Sequence, residues 1–133
     1  MEEKIMEKTL KFNAPFGEEE VKLVVANYAN NNRLYIGLLS RDEDDPDFFE
    51  PFDDLTVNLT VADLKNPNEA FIDNNFSREK IQFIEENKLG KVIPVTFQSG
   101  FCTFQAVAFD IERLREFAPE GVEEFLKNAG CEA

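Results

Sequence analysis

A chain of 133 residues is long enough to bury one core and too short for two independent ones. Hydrophobic residues make up 43 % and charged residues 31 %, the balance of a water-soluble globular protein, and fourteen Phe against two Tyr and no Trp make the aromatic mass almost wholly apolar. A formal charge of -13 opposes contact with nucleic acid phosphates and anionic membranes, so direct binding to DNA, RNA or a bilayer is not expected.

Residues 1–7 and 131–133 are expected to fray around a single domain. A short first strand is predicted over Lys8 to Asn13, ended by the turn Ala14-Pro15-Phe16-Gly17. Glu20 to Ala29 and Arg33 to Ser40 are two apolar runs joined by Asn30-Asn31-Asn32. Asn tolerates the left-handed backbone of a tight loop, so these runs are read as a β-hairpin.

Eight acids and no base then fall in thirteen residues: Asp42, Glu43, Asp44, Asp45, Asp47, Glu50, Asp53 and Asp54, with Phe48, Phe49 and Phe52 among them. Eight of the thirteen units of net negative charge therefore sit in about a tenth of the chain. Carboxylates that repel one another resist burial, while the rings offer a surface a partner could cover. Residues 41–54 are accordingly read as an open acidic loop whose eleven acidic and Phe residues form the candidate binding site.

Leu55-Thr56-Val57-Asn58-Leu59-Thr60 alternates strictly, which predicts a half-buried strand with Leu55, Val57 and Leu59 inward and Thr56, Asn58 and Thr60 outward. Val61 to Asn75 is broken by Asn66-Pro67-Asn68 and is read mostly as loop, with Ala70 to Asp73 a possible brief strand. Ser77 is the expected N-cap of a helix running to Lys88 and stopped by Gly90, although Lys80 stands where a capping box needs Glu or Gln.

Val92 to Gln98 and Phe101 to Phe109 flank Ser99-Gly100, the pattern of a hairpin with a two-residue turn. That turn would pair Phe97 with Cys102, Val95 with Phe104 and Ile93 with Ala106 on one apolar face, burying the Cys102 thiol. Pro94 marks an edge strand because it has no N–H for the ladder. Asp110 is the expected cap of a helix carrying Ile111, Leu114 and Phe117, interrupted at Ala118 to Gly121. Val122, Phe125, Leu126 and Ala129 then recur at the spacing of an amphipathic helix, with Gly130 as its stop. Strands and helices segregated in this way predict an α+β fold: an antiparallel sheet of about five to six strands, in hairpins, packed with two or three helices.

The chemistry available is narrow. Histidine is absent, which removes the commonest general base, the commonest metal ligand and every Ser-His or Cys-His arrangement. Two cysteines, Cys102 and Cys131, make no disulfide framework and are read as reduced thiols. Carboxylate pairs in a solvated loop cannot separate their pKa values as acid and base catalysis requires. An EF-hand starting at Asp42 would place Pro46 at a ligand position and finds no Gly after it. No Gly-rich phosphate loop, zinc spacing or serine elbow occurs, so neither a cofactor nor a dedicated metal site is expected. Asn58, Asp73, Asn74, Asn75 and Ser77 could line a small polar site, but Asn-Asn before a helix is ordinary turn chemistry. No apolar run reaches the roughly 18–20 residues that cross a bilayer, and the amino terminus lacks a signal-peptide pattern, so the cytoplasm is the expected location.

At Leu55-Thr56-Val57-Asn58-Leu59, Ala70-Phe71-Ile72-Asp73-Asn74-Asn75, Phe83-Ile84 with Leu89-Gly90, and Ser99-Gly100-Phe101-Cys102-Thr103-Phe104 followed by Phe109-Asp110, the chain resembles domain of unknown function family 4313. The resemblance spans roughly Leu10 to Leu114, and the chain departs from the family's pattern in the acidic segment and from Pro119 to Ala133. It implies a small acidic protein of conjugative transposons and plasmids in Gram-positive gut bacteria, and it implies no mechanism.

Together these features lead to one expectation: a non-enzymatic accessory protein of a mobile element that binds a partner protein with a basic patch through Asp42 to Asp54. An acidic mimic of DNA, blocking a DNA-binding or restriction-type protein, is the second reading, and a carboxylate- or metal-dependent hydrolase the third. A loop that only confers solubility is the bland alternative, and the oligomeric state is left open.

Overall fold

A computed structural model of the chain describes residues 9–41, 44–45, 48–60, 62–73 and 76–130. Strands Leu10–Ala14 (β1), Gly17–Asn27 (β2), Leu34–Arg41 (β3) and Phe49–Asp54 (β4) form an antiparallel sheet in that order. Thr56–Val57 (β5), Glu69–Ile72 (β6), Gly90–Ser99 (β7) and Cys102–Phe109 (β8) form a second, ordered β5-β6-β8-β7. Three helices, Ser77–Glu86 (α1), Ile111–Phe117 (α2) and Pro119–Asn128 (α3), complete an antiparallel α+β fold.

The strands divide into two sheets of four because the chain changes sheets at a single residue. The Leu55 N–H donates to the Ile36 carbonyl of β3, while the Leu55 carbonyl accepts from Asp73 N, just past β6. Its side chain is wholly buried, so the crossing point is also part of the core. Beside it, Thr56 is buried rather than outward. Its hydroxyl oxygen accepts from Ile36 N at 3.1 Å and shares a hydrogen bond with the Tyr28 hydroxyl at 3.0 Å, so the polar atom is satisfied where alternation alone would leave it in water.

The hairpins follow from the sequence. Pro15-Phe16 makes the two-residue turn between β1 and β2, and Asn32, at φ 58, supplies the left-handed residue between β2 and β3. Alternation buries Val21, Leu23 and Val25 of β2 against Leu34, Ile36 and Leu38 of β3. These meet Ile72, Val107, Phe109, Leu114, Val122 and Phe125 in the main core. Gly121 lets α3 lie directly on β2, because a Cβ there would collide with the Val25 carbonyl.

Several boundaries differ from the sequence reading. Ser77 is the first helical residue; the N-cap of α1 is Phe76, left-handed at φ 56 and without a side-chain cap. The left-handed residue after α1 is Lys88, at φ 58, not Gly90, and it closes a Schellman turn in which Leu89 N donates to Ile84 O and Lys88 N to Glu85 O. Asp110 caps α2 as expected, accepting from Arg113 N at 3.1 Å. Pro119 opens α3 rather than interrupting it, since its missing N–H is not needed in the first turn.

The last hairpin turns at Gly100-Phe101 and pairs Phe97 with Phe104, Gln98 with Thr103 and Ser99 with Cys102, two residues from the expected register. A slip of two preserves every face, so the apolar set stays together. Ile93, Val95, Phe97 and Phe104 pack with Leu59, Ala62, Leu64, Phe71 and Ala106 in a smaller second cluster. The slip is absorbed by a bulge between Val92 and Thr96 that contains Pro94, on the edge strand where that proline was expected. The Gln105 side-chain amide stitches the bulge by donating to the carbonyls of Ile93 at 2.5 Å and Val95 at 3.2 Å. Cys102 is only half-buried, because it sits at the turn and not inside the cluster.

Candidate functional site

The acidic segment is not a loop throughout: Phe49–Asp54 is β4, the edge of the first sheet. Asp42, Glu43 and Asp47 lie outside the described residues, as do the two termini expected to fray. Asp44, Asp45, Phe48 and Glu50 are exposed, and Phe48 N donates to the Asp45 carbonyl at 2.9 Å. Phe49, Phe52, Asp53 and Asp54 each contact other parts of the protein. Phe49 is half-buried, its ring faced by the Arg41 guanidinium at 4.7 Å and by Lys22 at 5.5 Å.

Phe52 and Asp53 turn inward together. Leu38 pairs with Asp53 and Leu39 with Pro51, leaving Phe52 as the extra residue of a β-bulge. In a regular strand two neighbours would point to opposite faces; the bulge permits both on the core side. Phe52 stands edge-on to Phe12 and Phe16, within a run of T-shaped contacts from Phe83 through Phe12, Phe52 and Phe16 to Phe76. The run ends at the surface in Phe16, 62 % exposed in the β1–β2 turn. Sequence reasoning passed over Phe16, although a Phe in a Pro-containing turn, with no strand face to join, is itself a sign of exposure.

Asp53 meets Lys80, whose ammonium lies 3.3 Å from it and 3.0 Å from Asp73. Lys80 is fully buried, so its charge depends on those carboxylates, and the three residues lock β4, α1 and the end of β6 together. Lys80 falls at helical spacing with Phe76, Phe83 and Ile84. A lone cation on such an apolar stripe is the sequence signal that could have revealed the pair. Asp54 turns to the opposite face and accepts from the Tyr35 hydroxyl at 2.7 Å. Burial, and then that carboxylate, push the Tyr35 hydroxyl well above its ordinary pKa.

Nearby, Glu20 binds Arg41 at 2.9 Å and the Thr9 hydroxyl at 2.7 Å, and these donors bring its carboxyl from 4.5 down to about 2. The polar group considered from sequence does not assemble. Asn58 bonds Asn30 and Asn31 at 3.0 and 3.1 Å, Asp73 belongs to Lys80, and Asn74 and Asn75 lie outside the described residues. A cavity of about 290 Å³ beside the β2–β3 loop is lined by Arg33 and Glu69, both already occupied by the fold. Arg33 donates to the carbonyls of Leu59 and Ala62. Burial pushes the Glu69 carboxyl up, but donation from the Asn66 side chain and from the N–H groups of Asn66 and Lys65 outweighs it and holds the group below its ordinary value. Among the described residues no cluster of three metal-ligating side chains occurs, and no helix is long and apolar enough to cross a membrane.

A model of the family described as a domain of unknown function (DUF4313) matches residues 22–129. The match includes the acidic segment and α3, both of which the sequence alone set apart from the family's pattern. No curated protein and no solved structure matches the chain.

Proposed function

The chain belongs to the DUF4313 family, whose description assigns no activity, and from its geometry we propose a non-enzymatic protein-binding module that docks through the outer part of its acidic segment. One observation carries this reading. Phe48 is 52 % exposed, among the exposed carboxylates of Asp44, Asp45 and Glu50, immediately before a strand fixed to the core by Phe52 and Asp53. A ring that directly precedes a strand anchored in the core can be buried by a partner at a smaller ordering cost than one on a long free loop. The surrounding carboxylates steer toward a protein surface bearing Lys and Arg. Pro51 and the bulge blunt the β4 edge, which favours recognition by side chains over addition of a strand.

The site therefore shrinks from eleven residues to a smaller contact around Phe48. DNA mimicry ranks second, because it needs carboxylates spread along a surface, and Asp53 and Asp54 turn to Lys80 and Tyr35 instead. The role proposed is that of a cytoplasmic accessory factor of a mobile element, and the sequence resemblance supports that setting.

The test is affinity capture by the immobilised protein at low and high salt, beside Phe48→Ser and the double variant Asp44→Asn with Asp45→Asn. The reading expects a partner whose binding weakens as salt rises and falls about tenfold or more in Phe48→Ser. Undiminished binding by Phe48→Ser, or binding that ignores salt, removes it.

A further inference from the structure

Phe16, Phe48, Val92 and Phe101 are the large apolar side chains most open to water among the described residues. Only the first two have an acid within two positions. Phe16 is followed by Gly17-Glu18-Glu19-Glu20, with no Lys or Arg between Lys11 and Lys22, and Phe48 lies among Asp44, Asp45 and Glu50. Val92 and Phe101 belong instead to a stretch, Val92 to Phe109, that holds no Asp, Glu, Lys or Arg.

Phe16 is a supported ring. The β1–β2 turn sets it against Phe52 and Phe76, whose ring centroids lie 6.3 and 6.0 Å away, both edge-on. Neither of those rings would stand there in regular structure. The β4 bulge turns Phe52 inward, and Phe76 is left-handed at φ 56, a conformation rare for a bulky residue and concentrated at ligand-binding and switch positions. Irregular backbone from three elements thus converges on one aromatic patch, with Phe16 as its open end. Phe48 is four residues from Phe52. At about 3.3 Å per residue of strand, both exposed rings fall within one interface of ordinary size, about 800 Å² on each partner.

Charge selects what can cover the patch. Lys11 stands 3.6 Å from Glu18 and Arg41 2.9 Å from Glu20, but with Glu19, Asp44, Asp45 and Glu50 the carboxylates around the two rings outnumber the cations. A second copy of the chain, or an anionic bilayer, brings like charge to that rim and is repelled. A protein segment in which a large apolar side chain stands between Lys or Arg residues matches both the rings and the rim, and its cations gain further attraction from the Phe faces.

We propose that Phe16 is a second anchor of the docking surface, and that the partner segment seated on it carries a large apolar side chain flanked by Lys or Arg. The inference rests on the docking reading, because one partner is to cover Phe16 and Phe48 together.

The chain has no Trp, so a synthetic Lys-rich peptide with one central Trp reports its own burial by fluorescence without background from the protein. Titrated with the full chain, its emission should move to the blue as the indole leaves water, with an affinity that falls as salt rises. Phe16→Ser and Phe48→Ser should each weaken binding about tenfold. Phe16→Tyr, which keeps the ring, should bind like the wild type, and a peptide with Glu in place of Lys should not bind. In the same titration the backbone amide signals of Phe16 to Glu19 should shift together with those of Phe48 to Glu50. Loss of binding in one Ser variant alone overturns the joint anchor; where that variant is Phe48→Ser the docking reading stands, and where it is Phe16→Ser the docking reading falls. Indifference to both variants removes both. No binding of the Lys peptide, or equal binding of its Glu counterpart, overturns the inference and leaves the docking reading to its own capture test.

Discussion

The acidic segment and the β7–β8 arm both carry Phe at the edge of a sheet, yet one is the most charged stretch of the chain and the other has no charged residue from Val92 to Phe109. They differ in what holds them down. β4 is fixed by directional side-chain contacts: Asp53 to Lys80 of α1, and Asp54 and Phe49 to Tyr35 and Arg41 of the neighbouring β3. The arm is held by its own ladder, by the Gln105 stitch and by one apolar face on Leu59, Ala62 and Leu64. A high local density of carboxylates is thus no measure of exposure, because a carboxylate can be an internal partner as readily as a solvated group. An uncharged stretch can likewise be the more open of the two.

The sharpest way to break this contrast is at Lys80. Replacing it by Met removes the cation that Asp53 and Asp73 share and should cost about 1–3 kcal/mol, below the range for breaking a fully buried pair because both carboxylates are partly exposed. Gln98→Lys, on the exposed face of the arm, should change stability by less than about 0.5 kcal/mol. Urea unfolding of the two variants measures both. If Lys80→Met unfolds at the wild-type midpoint, β4 is not fixed in the way argued here.

A smaller contrast lies inside the acidic segment. Phe52→Ala removes a ring from the Phe12–Phe16 contacts and should cost about 2 kcal/mol, below the full range for a core Phe because the ring is only half-buried. Phe48→Ala should be neutral within about 0.5 kcal/mol while acting on partner capture. Equal effects of the two on unfolding would erase the division between an anchoring half and a presenting half.

That division could not be read from the chain alone, and the reason is physical. Local patterns were legible: the hairpins, the Asp110 cap, the Pro94 edge and the α+β class depend on neighbours in sequence, where alternation and turn chemistry operate. Even the wrong register of the last hairpin kept the right face, since a shift of two is invisible to a period of two. What failed depends on partners far along the chain. Thr56 is buried because Ile36 and Tyr28 satisfy it, and Asp53 because Lys80 does. No window around residues 41–54 contains those partners. The bulge that turns Phe52 and Asp53 inward is a tertiary event with no signature in their spacing.

The gentlest probe is pH, and its sign is fixed by Glu20. Its carboxyl titrates at about 2 in the folded chain against 4.5 ordinarily, held down first by hydrogen bonding from Arg41, then from Thr9. A group depressed on folding contributes stability that is fully present above its unfolded value and is lost as pH falls through the folded one. The loss should therefore run from about pH 4.5 down to about pH 2, with Glu69, also depressed by its hydrogen bonds, adding in the same direction. The Glu20–Arg41 pair is partly exposed, so its share should stay below about 1 kcal/mol. Arg41 also faces Phe49, so loosening of the pair should reach the β3–β4 edge before the arm, where no carboxylate stands between Val92 and Phe109. Amide exchange on acidification should show β3 and β4 losing protection ahead of β7 and β8, and Glu20→Gln should flatten the early loss. Simultaneous loss in both sheets, unchanged by Glu20→Gln, would mean that the acidic edge and the uncharged arm answer to one common transition and not to their separate fastenings.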